Sequence, residues 1–186
     1  MKIDRVYIVC NRKDFYFARV CLASIRYWNR QVPVTVIKDD THGAFDTSLA
    51  EKHLNVTVHI PSVQHAGYYA KLSPFIDVAK GEFVLIQDAD TVWLCDLIAL
   101  FNTKEGQLII SGYQPDDTLA EMNRWYFKDG FKNSFPKYTY PGFLFNVGHF
   151  ACHDNLFGKN EILQLLNWQS PPSPVNDVFF HEQGIL

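Results

Sequence analysis

The stretch FVLIQDADTV, residues 83–92, decides the fold of this chain. Its first four residues are apolar and follow Gly81 closely, a pattern typical of a buried strand. Asp88 and Asp90 come directly after, at the carboxyl end of that strand, where open α/β sheets bind their ligands. Carboxylate oxygens can hold a divalent cation, and the cation can hold phosphates. The stretch therefore predicts a phosphorylated or nucleotide-linked ligand.

The bulk composition narrows the class of protein. One domain is the default for 186 residues, and a hydrophobic fraction of 47% argues against disorder. The net charge is -3 and no basic stripe is visible, so we expect no nucleic-acid partner. Apolar runs are too short for a signal peptide or a spanning helix, so we expect a soluble chain with no membrane segment of its own.

The cysteines indicate the redox compartment. Cys10, Cys21, Cys95 and Cys152 form no CxxC pair, and three of them lie in apolar surroundings. This usage is typical of reduced thiols in a cytoplasmic protein. Cytoplasmic localisation is therefore the expectation.

Strand and helix signals alternate along the chain. Strands are predicted at 6–10, 34–38, 56–60, 83–86, 108–110 and 143–147. Helices are predicted at 15–28 with Asp14 as cap, at 68–80 with Ser73 capping and Gly81 closing, at 97–101 after Asp96, after Thr118, at 162–168 and from about Asp177. The alternation predicts an α/β fold with a mostly parallel sheet, in a single domain over residues 1–186.

The Asp-x-Asp triplet has three interpretations. A plain surface turn is one, and metal–nucleotide binding by a sugar-nucleotide transferase is the second. The third is a phosphatase of the haloacid dehalogenase type, with Asp88 as nucleophile and Asp90 as acid/base. That signature normally opens its domain, whereas three predicted strands precede it here. No suitable acid pair follows Lys159, which the phosphatase interpretation also needs.

A second metal possibility involves two histidines. His149 and His153 have a spacing that would place both imidazoles on one face of a helix, as in some zinc sites. No helix is evident there and no glutamate lies between them. We therefore do not expect zinc.

Several segments together resemble the family 8 glycosyltransferases, which have the GT-A fold. They are, in the family's order, VTVIKDD (34–40), YAKL (69–72), QDADTVWLCDLIALF (87–101), FNVG (145–148) and HEQGIL (181–186). The resemblance implies a Rossmann-like GT-A sandwich around a central, mostly parallel sheet. It also implies an enzyme, a hexosyltransferase that moves a sugar from a UDP-sugar to a carbohydrate or glycan acceptor with retention of anomeric configuration.

The chain departs from the family pattern at several places. Gln87 replaces a usual Leu, Val147 a small polar residue, and Glu182 a usual Asp. Family members continue past this point to a segment whose His is the third metal ligand and whose Lys contacts the diphosphate. The sequence ends at Leu186, so we expect a chain truncated at its C-terminus, with weak or no activity. A non-catalytic nucleotide-sugar-binding module is therefore an alternative.

The resemblance assigns roles to particular residues. Asp88 and Asp90 would hold Mn²⁺ or Mg²⁺, and Asp88 would also bind the ribose. Catalytic roles would fall to Asn146, Glu182 and Gln183, although Asn146 could instead be an amide that fixes its loop.

The same resemblance places further residues at the donor. Cys10, Asn11 and either Asp39 or Asp40, of which Asp40 is our choice, lie where the family holds uracil and ribose. A plain turn role is as good an interpretation of Asn11 and Asp40. Lys71 would meet the diphosphate or donor sugar, or would be an ordinary solvated helix lysine.

Overall fold

The structure is a computed structural model that describes residues 2–78, 80–110, 113–115, 136–137, 143–169 and 172–174. The strands are β1 Arg5–Cys10, β2 Val34–Lys38, β3 Thr57–His59, β4 Phe83–Asp88, β5 Leu108–Ile110, β6 Tyr113–Pro115, β7 Phe143–Phe145, β8 His149–His153, β9 Leu166–Asn167 and β10 Ser173–Pro174. The helices are α1 Phe15–Trp28, α2 Ser48–Leu54, a 3-10 helix Gly67–Leu72, α3 Ser73–Ile76, α4 Leu97–Phe101 and α5 Lys159–Leu165.

The main sheet confirms the predicted α/β fold. Within the described residues it has six strands in the order β3-β2-β1-β4-β8-β5. β1 runs parallel to both β2 and β4, and β2 runs parallel to β3. β8 lies antiparallel between β4 and β5, which makes the sheet mixed but mostly parallel. Strand order therefore reverses at β1, whose two neighbours are β2 and β4.

β4 is buried on both faces, as its apolar run predicts. Val84 and Ile86 pack into the core beneath the 3-10 helix, α3 and α5. Phe83 and Leu85 point to the other face and pack against α1 and α4. Apolar cores cover both faces of β4, and β1 and β8 pair with it on either side, so β4 is a central strand with no free edge.

Two helices follow their sequence signals closely. α1 spans Phe15–Trp28 as predicted, with Asp14 at its N-cap, although the Asp14 side chain caps no backbone N–H. α4 spans Leu97–Phe101, and the Asp96 carboxylate accepts hydrogen bonds from the backbone N–H groups of Ile98 and Ala99. A short polar side chain at this position satisfies amides that the helix leaves unpaired.

The prediction of a single helix over residues 68–80 is wrong. The chain forms a 3-10 helix over Gly67–Leu72 and a one-turn α-helix over Ser73–Ile76, with Pro74 in the first turn. Proline has no N–H to continue the preceding turn, so the two short helices stay separate. The backbone has left helical geometry well before Gly81, whose φ is 80°.

Three other segments differ from prediction. The strand predicted at 143–147 ends at Phe145 and pairs with β6 in a small separate sheet. The helix predicted at 162–168 instead occupies Lys159–Leu165, because the chain turns extended at Leu166 and pairs with β10. β8 was not predicted. The helices expected after Thr118 and from Asp177 lie outside the described residues.

The cysteines are free in the structure. Cys10, Cys21 and Cys152 are buried and Cys95 is exposed. Burial raises the pKa of Cys10 and of Cys152 to about 12 and that of Cys21 to about 11, so all three buried thiols stay protonated. Across the part of the chain that the structure describes, no helix is both long and apolar enough to cross a bilayer.

Candidate functional site

The carboxyl ends of β1 and β4 meet at one edge of the sheet. β1 ends at Cys10 and β4 at Asp88, and the two strands are hydrogen-bonded neighbours in parallel register. Because β2 lies on the other side of β1, the crossover connections diverge here. Such a reversal of strand order opens a crevice, which is the usual ligand site of an open α/β sheet.

A buried lysine holds the first carboxylate of the acid pair. Lys71 Nζ lies 2.7 Å from Asp88 Oδ1, and the two side chains are 9% and 40% exposed. The 3-10 helix carries Lys71 to the end of β4, and Lys71 is buried there together with Ala70 and Leu72. The solvated-lysine interpretation of Lys71 is therefore wrong. A positive charge sits instead at the edge of the sheet, against the carboxylate.

A glycine packs against the other oxygen of Asp88. The Asp88 N–H donates to the Gly148 carbonyl oxygen at 2.8 Å, and the Gly148 N–H donates to Asn146 Oδ1 at 2.8 Å. A Cβ on Gly148 would lie 2.7 Å from Asp88 Oδ2 and 2.9 Å from Asn146 Oδ1. Only glycine leaves room for both oxygens. Asn146 is exposed and its carbonyl fixes the turn before β8, as the loop-fixing interpretation predicts.

The loop after β4 carries the second carboxylate and is held in place by hydrogen bonds to a buried side chain. Asp90 is exposed. Gln87 is fully buried, and its Nε2 donates to Cys21 Sγ at 2.9 Å and to Thr91 Oγ1 at 3.0 Å. Gln87 Oε1 accepts from Trp93 Nε1 at 3.0 Å. Gln87 thus fixes the loop that carries Asp90. The only signal in the sequence was a polar residue inside an apolar strand.

A second group of residues lies at the ends of β1 and β2. Cys10 is a core residue whose thiol donates to the Asn11 carbonyl oxygen at 3.2 Å. The Asn11 side chain donates to Asp14 Oδ2 and accepts from the Lys13 N–H at 2.8 Å. Both ends of the Asn11 amide are thus engaged within its own turn, in line with a turn role.

The two adjacent aspartates after β2 differ sharply. Asp40 Oδ1 accepts from the His65 N–H at 2.7 Å, which ties two loops together. Asp39 is 2% exposed, and its Oδ1 has no hydrogen-bond partner among the described residues. A buried carboxylate oxygen without a partner is costly, and such atoms are rare in native proteins. Asp39 is therefore the stronger candidate for accepting a hydrogen bond from a ligand.

The two histidines do not form a metal pair. His149 and His153 stand at opposite ends of β8, so about 13 Å of extended strand separates them. Their rings pack against Phe101 and Phe83, respectively. Burial lowers the pKa of His149 more than the nearby Asp88 raises it.

The donor atoms that remain suit a hard cation. Within the described residues, no three His, Cys, Asp or Glu side chains cluster as a ready-made metal cage. Mg²⁺ and related cations are commonly held by one or two carboxylates, with waters and substrate phosphates completing the shell. Asp88 and the exposed Asp90 fit that description. Glu182 and Gln183 lie outside the described residues.

The fold is that of the GT-A glycosyltransferases. GlyE from Streptococcus pneumoniae TIGR4 matches with a TM-score of 0.54 at 12% identity, over 89% of this chain and 38% of that one. The galactosyltransferase LgtC, solved with donor and acceptor sugar analogues, matches with a TM-score of 0.50 at 16% identity, over 81% of this chain and 58% of that one. Glucosyl-3-phosphoglycerate synthase from Mycobacterium tuberculosis was solved with Mn²⁺, UDP and glucosyl-3-phosphoglycerate. It matches with a TM-score of 0.50 at 13% identity, over 89% of this chain and 60% of that one.

This chain thus spans less than two thirds of each of these proteins. At such low identity the likeness is one of fold. No protein-family model matches the sequence, and neither does any curated protein.

Proposed function

We propose that this chain is a metal-dependent glycosyltransferase domain that moves a sugar from a UDP-sugar to a carbohydrate acceptor with retention. The observation that carries the proposal is the placement of Asp88 at the strand-order reversal. Lys71 pairs with one of its oxygens, Gly148 packs against the other, and Asp90 is exposed two residues further on.

The charges at this edge of the sheet suit a cation that binds a diphosphate. Lys71 is buried, so its ammonium interacts with other charges across a medium whose dielectric constant is lower than that of water. It balances one of the two acidic side chains, and the remaining negative charge favours a cation. A cation bound by Asp88 and Asp90 would neutralise, as a Lewis acid, the charge that develops on a departing nucleoside diphosphate.

The end of β2 supplies a place for the nucleoside. Asp39 Oδ1 is a buried acceptor with no donor among the described residues. A ribose hydroxyl or a base N–H would satisfy it and recover the cost of its burial. Because β2 and β4 flank β1, Asp39 and Asp88 lie on either side of the β1 carboxyl end, as the two ends of an extended nucleotide require. In this proposal Asp39 replaces Asp40, and the buried Cys10, whose carbonyl oxygen accepts from the Asp39 N–H, supports Asp39 and does not contact the ligand.

The roles nearest the sugar stay predictions. Asn146 is exposed beside Asp88, so its amide N–H₂ group is available for a sugar hydroxyl while its oxygen fixes the turn. Glu182 and Gln183 would face the anomeric carbon, and retention rests on the family resemblance.

Calorimetry of UDP binding with and without Mn²⁺ tests the proposal. We expect tighter binding with Mn²⁺, and we expect Asp90→Asn to abolish the difference because it removes one anionic ligand. Glu105→Gln is the matched control, since Glu105 is exposed at the amino end of β5, on the opposite edge of the sheet. Metal-independent or absent UDP binding would overturn the proposal. Hydrolysis of an aryl phosphate that is lost on Asp88→Asn would favour the phosphatase instead.

A further inference from the structure

The helix α1 carries apolar residues on both of its faces. Its inner face, which includes Leu22 and Ile25, is buried on the sheet. Its outer face carries Tyr16, Val20 and Tyr27, which recur at helical spacing in one stripe. The exposed fractions of Tyr16 and Tyr27 are 70% and 79%. Large apolar side chains exposed in one stripe form a surface that a partner can cover.

The stripe continues into a groove shared with α2. The groove has a volume of about 560 Å³. Its apolar walls come from Tyr16, Val20 and Ala23 on α1 and from Leu49 and Leu54 on α2. Leu49 is itself an exposed large apolar residue. Apolar surface therefore extends across two neighbouring helices, a contiguous patch of the kind that marks an interaction site.

The charge around this patch is positive, against the sign of the whole chain. The basic side chains in the groove are Arg19 and His53. Arg12, Lys13 and Arg30 are exposed at the two ends of α1. The acidic residue of this segment, Asp14, accepts a hydrogen bond from Asn11 in its own turn. At α2, the exposed Asp46, Glu51 and Lys52 together carry one negative charge. The exposed Arg12, Lys13, Arg19 and Arg30 outnumber this charge and that of Asp14, so the surface around α1 stays positive.

The net charge of the whole chain is -3. The positive field around α1 is therefore local, and it calls for an anionic partner. We name the surface formed by Tyr16, Arg19, Val20, Ala23, Tyr27, Arg30 and Leu49 the α1 face.

We propose that the α1 face docks this protein peripherally on an anionic lipid bilayer. Tyrosine rings are amphipathic and favour the headgroup level, where one end stays wet. Arginine stems lie along apolar surface while their guanidinium groups reach phosphate. An amphipathic helix that lies in the plane of the interface combines these features.

The other occupants fit less well. A second copy joined through the same face would bring Arg19 and Arg30 of each copy against those of the other around a two-fold axis. A nucleic acid would match the positive charge but would leave the apolar stripe uncovered. A lipid surface satisfies both the charge and the apolar groove.

Vesicle sedimentation tests the proposal with the full chain. The probes are vesicles of phosphatidylcholine alone and of equal parts phosphatidylcholine and phosphatidylglycerol. We expect binding only to the anionic vesicles, and we expect salt to weaken it. Arg19→Gln with Arg30→Gln should weaken partitioning roughly 30-fold, given the usual contribution of each basic residue near such a surface. Tyr16→Ser with Tyr27→Ser should weaken it by at least roughly tenfold.

The control is Ile60→Ser with Lys104→Gln, which removes an exposed apolar side chain and an exposed charge away from the α1 face. It should bind as the wild type does. The arginine variant alters only exposed charges, so it still decides the matter if the tyrosine variant fails to fold. Absence of binding to anionic vesicles, or equal binding by all variants, would overturn the proposal. A dimer that the tyrosine variant abolishes would overturn it in favour of a second copy.

Discussion

Replacing Gly148 with alanine crowds two oxygen atoms of the site, of which Asp88 Oδ2 is the nearer. The new Cβ would lie 2.7 Å from Asp88 Oδ2, whereas an ordinary carbon–oxygen contact is about 3.3 Å. Asp88 must therefore retreat by about half an ångström, while Lys71 holds its other oxygen at 2.7 Å. Metal sites tolerate displacements of about 0.2 Å in their ligand distances.

We expect Gly148→Ala to weaken Mn²⁺-dependent UDP binding roughly 10- to 100-fold, as removal of a supporting partner of a metal ligand commonly does. Overpacking of this kind costs about 1–3 kcal/mol of stability. Calorimetry measures the affinity and thermal denaturation measures the stability.

Gly81→Ala is the matched control, because Gly81 has a φ of 80° and lies at the opposite end of β4. It should destabilise the fold by about 1–2 kcal/mol and leave UDP binding unchanged. Wild-type affinity and wild-type melting temperature in Gly148→Ala would refute this account of the Asp88 environment.

Two further substitutions test the supports of the acid pair. Lys71→Met keeps the length of the side chain but removes the charge at 2.7 Å from Asp88. Because Asp88 is partly exposed, the stability loss should be only about 1 kcal/mol. UDP–Mn²⁺ affinity should nevertheless fall at least roughly tenfold, and an affinity equal to that of a Lys104→Met control would contradict the role of Lys71. Gln87→Leu leaves the Trp93 indole N–H without its acceptor and should cost about 1–3 kcal/mol in denaturant unfolding. The same change in a Trp93→Phe background should cost less, and identical losses in both backgrounds would show that this hydrogen bond is not the cause.

Local signals account for the parts of the fold that the sequence predicts. The apolar run before Asp88 is buried on both faces, and its composition alone indicates a central strand. α1 has a regular apolar period on its inner face, and Asp96 is a polar cap placed directly before α4. These signals are contained within one element each.

The parts that the sequence does not predict depend on distant partners. β8 is a five-residue strand with a histidine at each end, and it is a strand because β4 and β5 pair with it on either side. In the sequence alone, Lys71 cannot be told from an ordinary solvated lysine. The structure places the 3-10 helix at the end of β4, and this brings Lys71 to Asp88.

The same holds for the choice between the two aspartates after β2. Only the three-dimensional structure shows that Asp39 is buried with an oxygen that no described residue pairs with, while Asp40 accepts a hydrogen bond from the His65 N–H. Neighbouring residues of one type carry no sequence signal that separates these roles.

The central claim is that the Asp88–Asp90 edge binds a cation together with a nucleoside diphosphate. Anomalous diffraction from crystals grown with UDP and Mn²⁺ tests it most directly. The account predicts a manganese peak beside the carboxylates of Asp88 and Asp90, with the diphosphate adjoining it and the nucleoside towards Asp39. A UDP molecule bound at this edge without manganese, or a manganese peak elsewhere on the protein, would contradict it.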